Sequence, residues 1–145
     1  MKVKPLVFLF GIASAVALTV ATAQSPSKNV THGPATIKEL MTLIVEPASN
    51  GVFQAASEAP KNDAGWKTLQ GQALTLVEIA NSLTAPNRSK DRKQWLQFSR
   101  AFQAESQKAF DAATAKDAGK LGDLSDSLYT TCANCHEHYL PKSGA

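Results

Sequence analysis

The residues of this sequence best suited to chemistry lie in one run near the C-terminus, Cys132-Ala133-Asn134-Cys135-His136. Two thiols separated by two residues and followed at once by an imidazole form the pattern that attaches a c-type haem. Each thiol can add across one vinyl group of the porphyrin, and the imidazole can bind the iron. On a helix, positions i, i+3 and i+4 lie on one face. The run therefore predicts haem c held by Cys132 and Cys135, with His136 as the proximal ligand.

The same run has three other interpretations. A thioredoxin-like redox pair belongs in a βαβ unit, and nothing in the sequence has the pattern of a strand. A structural zinc site needs four ligands, whereas the chain has only two cysteines and His32 is distant in sequence. A disulfide across a two-residue gap would constrain very little of the chain. Haem attachment is the interpretation that the sequence favours.

The N-terminus predicts export from the cytoplasm. Residues 1–4 are basic, residues 6–20 are apolar, and residues 21–23 form a small-x-small cleavage site, which together are typical of a signal peptide. An uncleaved membrane anchor is the alternative, but the apolar stretch is short for spanning a bilayer. We therefore expect a signal peptide at residues 1–23 and a periplasmic domain at residues 24–145, with no stable membrane insertion after cleavage.

The charge of the expected mature chain is nearly balanced. Lys2 and Lys4 belong to the signal peptide, so 13 of the 15 basic residues remain against 12 acidic ones. A protein that binds nucleic acid would carry a basic face, and this balance argues against one. Both cysteines belong to the haem motif, so no disulfide framework is expected.

Apolar residues recur at spacings of three and four along the expected mature chain, which predicts an all-α fold. The pattern gives four helices, at about residues 36–56, 63–83, 89–115 and 121–139. Short links between them favour an antiparallel up-down-up-down four-helix bundle. Because the haem cysteines continue the apolar stripe of the fourth helix, the haem is expected inside the bundle.

Three of the predicted helices carry features that bear on the site. In the first helix, Pro47 should either kink the chain or begin a second segment at its first turn. Asn62 and Ser89 are the expected caps of the second and third helices. The apolar stripe expected on the first helix comprises Ile37, Leu40, Met41, Ile44, Ala48 and Val52. The stripe expected on the second helix comprises Trp66, Leu69, Ala73, Leu76, Ala80 and Leu83. The residues expected to be buried on the third helix are Trp95, Phe98, Phe102, Ala109 and Phe110.

An exported chain of four helices, with its single haem motif on the last helix, resembles the class II c-type cytochromes, the cytochrome c′ and cytochrome c-556 family. The resemblance covers nearly the whole mature chain. It implies a haem enclosed by the bundle, with the thioether links at Cys132 and Cys135 and the proximal ligand at His136. Tyr139 matches the aromatic residue that often follows the motif. Leu140 stands where relatives usually have a basic residue.

Members of this family differ on the distal side of the iron, where a methionine of the first helix binds or the site stays open. Met41 is the only methionine of the expected mature chain. At about 1.5 Å per residue, Met41 lies roughly 7.5 Å from one helix end and His136 roughly 4.5 Å from the other. These similar depths make Met41 the expected distal ligand. An open site, His32 as ligand, and Met41 as a mere core filler are the alternatives.

Histidine and methionine ligands raise the potential of a low-spin haem iron, and little geometry changes on reduction. The sequence therefore predicts an electron-transfer protein that serves periplasmic redox partners. No general base or nucleophile accompanies the motif, so no enzyme is predicted. The alternative function is the binding of nitric oxide or another small gas at a five-coordinate iron. A thiol oxidoreductase without haem is a third hypothesis, and a homodimer through the first two helices is common in relatives.

Overall fold

The computed structural model describes residues 35–89 and 91–140. Helices make up 83% of these residues and no strand occurs among them, so the predicted all-α class is confirmed. None of the helices in these two ranges combines the length and apolar character needed to cross a membrane. The expected signal peptide and His32 lie outside the described residues. Four helices pack against one another: α1 (Ile37–Leu40, Met41–Val45 and Glu46–Ser57, continuous along the chain), α2 (Asp63–Leu83), α3 (Arg92–Thr114) and α4 (Ala118–Tyr139).

Side-chain caps define the starts of α1 and α2. Thr36 and Glu39 form a reciprocal capping box at α1, in which the carboxylate of Glu39 accepts from the Thr36 amide at 2.8 Å. Asn62 caps α2 as predicted, because its side-chain oxygen accepts from the Gly65 amide at 2.9 Å. The bounds predicted for α2 are confirmed. Each cap satisfies amide groups that have no partner within the helix itself.

Aspartates cap α3 and α4, and both helices differ from the predicted bounds. The predicted cap of α3, Ser89, was wrong: the helix begins after Asp91, whose carboxylate accepts from the Trp95 amide at 3.2 Å. α4 begins three residues before its predicted start, because Asp117 accepts from the Lys120 amide at 3.0 Å. A carboxylate at these positions also interacts favourably with the positive end of the helix dipole.

Pro47 interrupts the regular hydrogen bonding of α1. Proline has no amide hydrogen to donate to the carbonyl of Leu43, and its ring would clash with that carbonyl in a regular α-helix. The chain widens instead: the Glu46 amide donates to the Met41 carbonyl, five residues back, across the π-helical segment Met41–Val45. Pro47 then lies in the first turn of the α-helical segment that follows, which is one of the two predicted outcomes.

The wide turn changes which residues of α1 are buried. Leu40 and Val45, five positions apart, are 5% and 8% exposed. Ile44, which the sequence predicted on the buried stripe, is 36% exposed, so that prediction was wrong. Met41 is half-buried and packs against the edge of the core. The π-helical turn holds one residue more than a regular turn. The buried positions before it are therefore shifted by one residue relative to those after it.

The remaining core follows the predicted apolar pattern closely on α2 and less closely on α3. All six residues predicted for the stripe of α2 are buried, namely Trp66, Leu69, Ala73, Leu76, Ala80 and Leu83. On α3, Phe98 and Phe110 are only half-buried, contrary to prediction, while Ser99 and Ser106 are buried. The two phenylalanine rings therefore cover the margin of the core, and small side chains occupy part of its interior.

The link between α2 and α3 contacts the ends of the other two helices. The guanidinium of Arg88 donates to the carbonyl of Ala35, just before α1. Three residues further along, Asp91 accepts a hydrogen bond from the hydroxyl of Tyr139, the last residue of α4. The start of α1 and the end of α4 therefore both meet this one link.

Candidate functional site

The candidate haem motif occupies the last two turns of α4, and the helix runs through it without interruption. Cys132 is half-buried and packs against the main hydrophobic core. Cys135 is also half-buried, and both thiols are free. His136, next along the chain, is exposed. The helical geometry gives the three side chains one face, with the thiols on its inner part and the imidazole toward solvent.

Burial governs the ionisation of the two thiols. Loss of solvent raises the pKa of the Cys132 thiol above its ordinary value. Burial also raises the pKa of Cys135, and the nearby sulfur of Cys132 adds to the shift. Both groups are therefore protonated at neutral pH. An S–H group is the form that adds as a whole across a carbon–carbon double bond, with no net oxidation.

Tyr139 connects the end of α4 to the start of α3 through ring packing and a hydrogen bond. Its ring packs edge-on against Trp95, with ring centres 5.1 Å apart, and against Phe98 at 6.0 Å. Its hydroxyl donates to Oδ1 of Asp91 at 2.5 Å. Burial, followed by this hydrogen bond to a carboxylate, raises the pKa of Tyr139 above its ordinary value. Tyr139 thus packs against the margin of the core.

His138 is exposed, but its ring makes several contacts. It lies 5.5 Å from the Phe98 ring and 4.6 Å from the Tyr139 ring, measured between centres. Its Nε2 is 3.8 Å from Oδ2 of Asp91, so a protonated His138 forms an ion pair there. Asp91 thus contacts both aromatic residues that follow the motif. Sequence reasoning missed this residue, although its position before a run of helical residues is typical of a cap.

The two residues expected to bind opposite sides of the iron have different surroundings. Met41 belongs to the π-helical segment of α1 and packs against the same core as Cys132. The exposed imidazole of His136 is not part of that core. His32, the alternative ligand, lies outside the described residues. The structure therefore brings Met41 and Cys132 to one core, and it leaves His136 at the surface of α4.

The donor atoms of the motif fit a covalently held haem better than a bare metal ion. Within the described ranges, no group of three or more His, Cys, Asp or Glu side chains is arranged to hold a metal. A haem brings four nitrogen ligands of its own, so the protein needs to supply only the axial ones. Two thiols one turn apart and an adjacent imidazole satisfy the attachment pattern.

Two surface grooves lie away from the motif. One, of about 430 Å³, lies between α1 and α2 and includes Gly51, Asn62 and Gln72. The other, of about 360 Å³, lies between α1 and α4 and includes Phe53, Gly122 and Tyr129. Both are open to solvent, and neither is lined by Met41 or by a residue of the motif.

Comparison of the chain with family models, with curated proteins and with solved structures found no match in any of the three. The case for a function therefore depends on the chain's own residues.

Proposed function

We propose that this protein is a periplasmic haem c protein that transfers single electrons, and that it is not an enzyme. Cys132 and Cys135 would hold the haem through thioether bonds. His136 would be the proximal ligand of the iron and Met41 the distal one. The haem would supply an iron that changes between two oxidation states by one electron. The residues of the chain would bind it, orient it and limit the access of water.

One observation carries this proposal: the two cysteines and the histidine lie on a single uninterrupted helix, with both thiols half-buried. This arrangement provides both attachment points and an axial ligand from one rigid element. It also argues against a thioredoxin-like pair, which belongs in a βαβ unit, because no strand occurs in the part of the chain that the structure describes.

The contacts between helix ends support an antiparallel order of the four helices. Arg88 and Asp91 connect the α2–α3 link to the start of α1 and to the end of α4. Lys116, in the α3–α4 link, pairs with Asp63 at the start of α2, with 2.8 Å between Nζ and Oδ1. Two separate sets of helix ends thus come together, as expected of a bundle with short links.

The burial pattern of α1 supports Met41 as a ligand. Met41 lies on the apolar face of α1, where its flexible side chain can either fill the core or offer its thioether to another partner. Here the adjacent Leu40 fills the core, and Met41 remains half-buried at its edge. A side chain in this position keeps its thioether free for another partner. Cys132 also packs against this core.

A homodimer through α1 and α2 is part of the proposal. Large apolar side chains are exposed on both helices: Leu43 is 71% exposed and Leu74 is 43% exposed. A contact between two copies through these side chains would remove their apolar surface from water. Sedimentation of the purified protein, with a Leu43→Glu variant as the comparison, tests this. A dimer that dissociates in the variant supports the interface, and a monomeric native protein refutes it.

An absorption spectrum of the purified protein, in both oxidation states and with carbon monoxide, tests the main proposal. A haem stain after denaturing electrophoresis first establishes covalent attachment. We expect a low-spin ferric spectrum with a methionine-to-iron charge-transfer band and little binding of carbon monoxide. Met41→Ala should remove the band and open the iron to carbon monoxide.

Three results would contradict parts of this proposal. A negative haem stain would refute haem attachment and favour a thiol oxidoreductase. High-spin bands and ready carbon monoxide binding in the native protein would refute ligation by Met41 and favour a binding protein for nitric oxide or another small gas. An unchanged spectrum of Met41→Ala would also exclude this residue as the ligand.

A further inference from the structure

The sequence of α1 could form a regular buried stripe that the structure does not use in full. Five of its apolar residues recur at spacings of four, three, four and three, which is the pattern of an α-helix that packs on one face. In the structure, Met41, which is the first of the five, is half-buried, and Leu40 is buried in its place. The five residues are Met41, Val45, Ala48, Val52 and Ala55.

The π-helical turn explains the exchange of Leu40 for Met41. In an α-helix each residue advances by about 100° around the axis. One extra residue in the turn therefore rotates the preceding chain by up to about that angle. Leu40 enters the core, and Met41 moves from the centre of the stripe to its edge. The hydroxyl of Thr42 donates to the carbonyl of Lys38 at 3.0 Å, a bond that also favours bending within a helix.

We propose that Pro47 is a positioning residue for Met41. By preventing a regular α-helix, it maintains the wide turn and keeps the thioether of Met41 at the edge of the core, available to an iron. Without the proline, Met41 would become a core filler and Leu40 would turn outward. The part of this inference that concerns iron rests on the proposed function, whereas the effect of Pro47 on the register of α1 does not.

Two variants separate the proline from the register that it imposes. Pro47→Ala restores an amide hydrogen for the carbonyl of Leu43, so α1 can become a regular α-helix and Met41 should enter the core. Adding a deletion of Leu43, which is 71% exposed, shortens the spacing from Leu40 to Val45 to four residues. In that double variant a regular helix should keep Leu40 inside and Met41 at the edge. Pro60→Ala, in the α1–α2 link, is the control for loss of a proline.

The holoprotein of each variant is first checked by haem stain and by circular dichroism, and then two properties are measured. The first is the methionine-to-iron charge-transfer band of the ferric protein. The second is the set of nuclear Overhauser contacts of the Met41 methyl group in the diamagnetic ferrous protein, with carbon monoxide added where the iron is open. Met41 gives the only methionine methyl signal of the cleaved chain.

We expect Pro47→Ala to lose the band and to gain methyl contacts between Met41 and Val45. The double variant should recover the band, and Pro60→Ala should keep it. Unchanged Met41 contacts in Pro47→Ala would overturn the inference, whatever the iron does. A changed Pro47→Ala that the deletion fails to rescue would overturn it as well. A native protein without the band but with the expected change of contacts would contradict ligation by Met41 and leave the role of Pro47 in register supported.

Discussion

Helices α1 and α2 lie side by side, but the residues that each of them buries follow the predicted apolar stripe to different degrees. Every residue predicted on the stripe of α2 is buried, from Trp66 to Leu83. The stripe of α1 is displaced by one residue at the π-helical segment Met41–Val45, which precedes Pro47. The regular helix supplies no ligand in the proposed haem site, whereas the irregular helix carries the proposed distal ligand. Apolar spacing determines the register of a helix only where the backbone is free to follow it.

The largest effect that separates the two helices is expected from core truncation. Leu76 of α2 is fully buried, so Leu76→Ala should lower the free energy of unfolding by about 2–5 kcal/mol. Leu40→Ala in α1 should also destabilise the protein, and it should in addition change the iron spectrum, because Leu40 is adjacent to Met41. Urea titration measures the first effect and absorption the second. A Leu76→Ala protein with an altered spectrum while folded would contradict this division of roles.

The caps of the two helices allow a second comparison, with a smaller effect. Thr36→Ala in α1 and Asn62→Ala in α2 should each lower the free energy of unfolding by about 1 kcal/mol, since each removes an acceptor for an amide at the helix start. Thermal unfolding measures both. Only Thr36→Ala should weaken the methionine charge-transfer band, because fraying of α1 reaches Met41 first. Equal spectral effects of the two variants would show that α1 has no special connection with the iron.

Glycines in the two helices provide a third comparison. A Cβ atom at Gly71 of α2 would meet nothing within 4 Å, so Gly71→Ala should stabilise the protein by about 0.5–1 kcal/mol. At Gly51 of α1, a Cβ atom would overlap the end of the Gln72 side chain, which would have to move. The gain at Gly51 should therefore be smaller or absent. Chemical denaturation of both alanine variants tests this, and a larger gain at Gly51 would contradict the contact.

The smallest effect concerns the pH dependence of the start of α1. Hydrogen bonds from the backbone and side chain of Thr36 lower the pKa of Glu39 below its ordinary value. The folded protein therefore binds fewer protons here than the unfolded chain, whose pKa is about 4.3. This stabilisation is present above that pH and is lost as the pH falls through the folded-state value. Glu39→Gln should flatten the acid side of the stability profile, and an unchanged profile would exclude this contribution.

Much of the fold could be predicted from the sequence because apolar spacing and caps agree in most helices. In α2 the cap Asn62 and the stripe both indicate the same bounds. In α3, Ser89 and Asp91 are both suitable caps by residue type, and the sequence gives no sign of the hydrogen bond from Tyr139 that favours Asp91. That bond joins residues 48 positions apart, and contacts at such a separation are invisible to local patterns.

Part of the candidate site was also predictable, because it consists of residues that are close together along the chain. The spacing of Cys132, Cys135 and His136 is local, so the sequence carries it directly. The exchange of Leu40 for Met41 is different, because both residues belong to the predicted apolar stripe and a regular continuation of that stripe from Val45 would place Met41 in the core instead of Leu40. Pro47 indicated an irregularity, but whether the chain would kink or widen depends on packing with the neighbouring helices.

The π-helical turn of α1 also has a consequence for the alignment of related sequences. Inserting one residue into a regular helix would normally turn every apolar residue on one side of it away from the core. Here the wide turn at Met41–Val45 absorbs the additional residue within about one turn of helix, so both halves of α1 keep their buried faces. We expect relatives without a proline at position 47 to be one residue shorter between the positions of Leu40 and Val45. An alignment that allows no gap inside this helix would then pair the proposed ligand with the wrong residue.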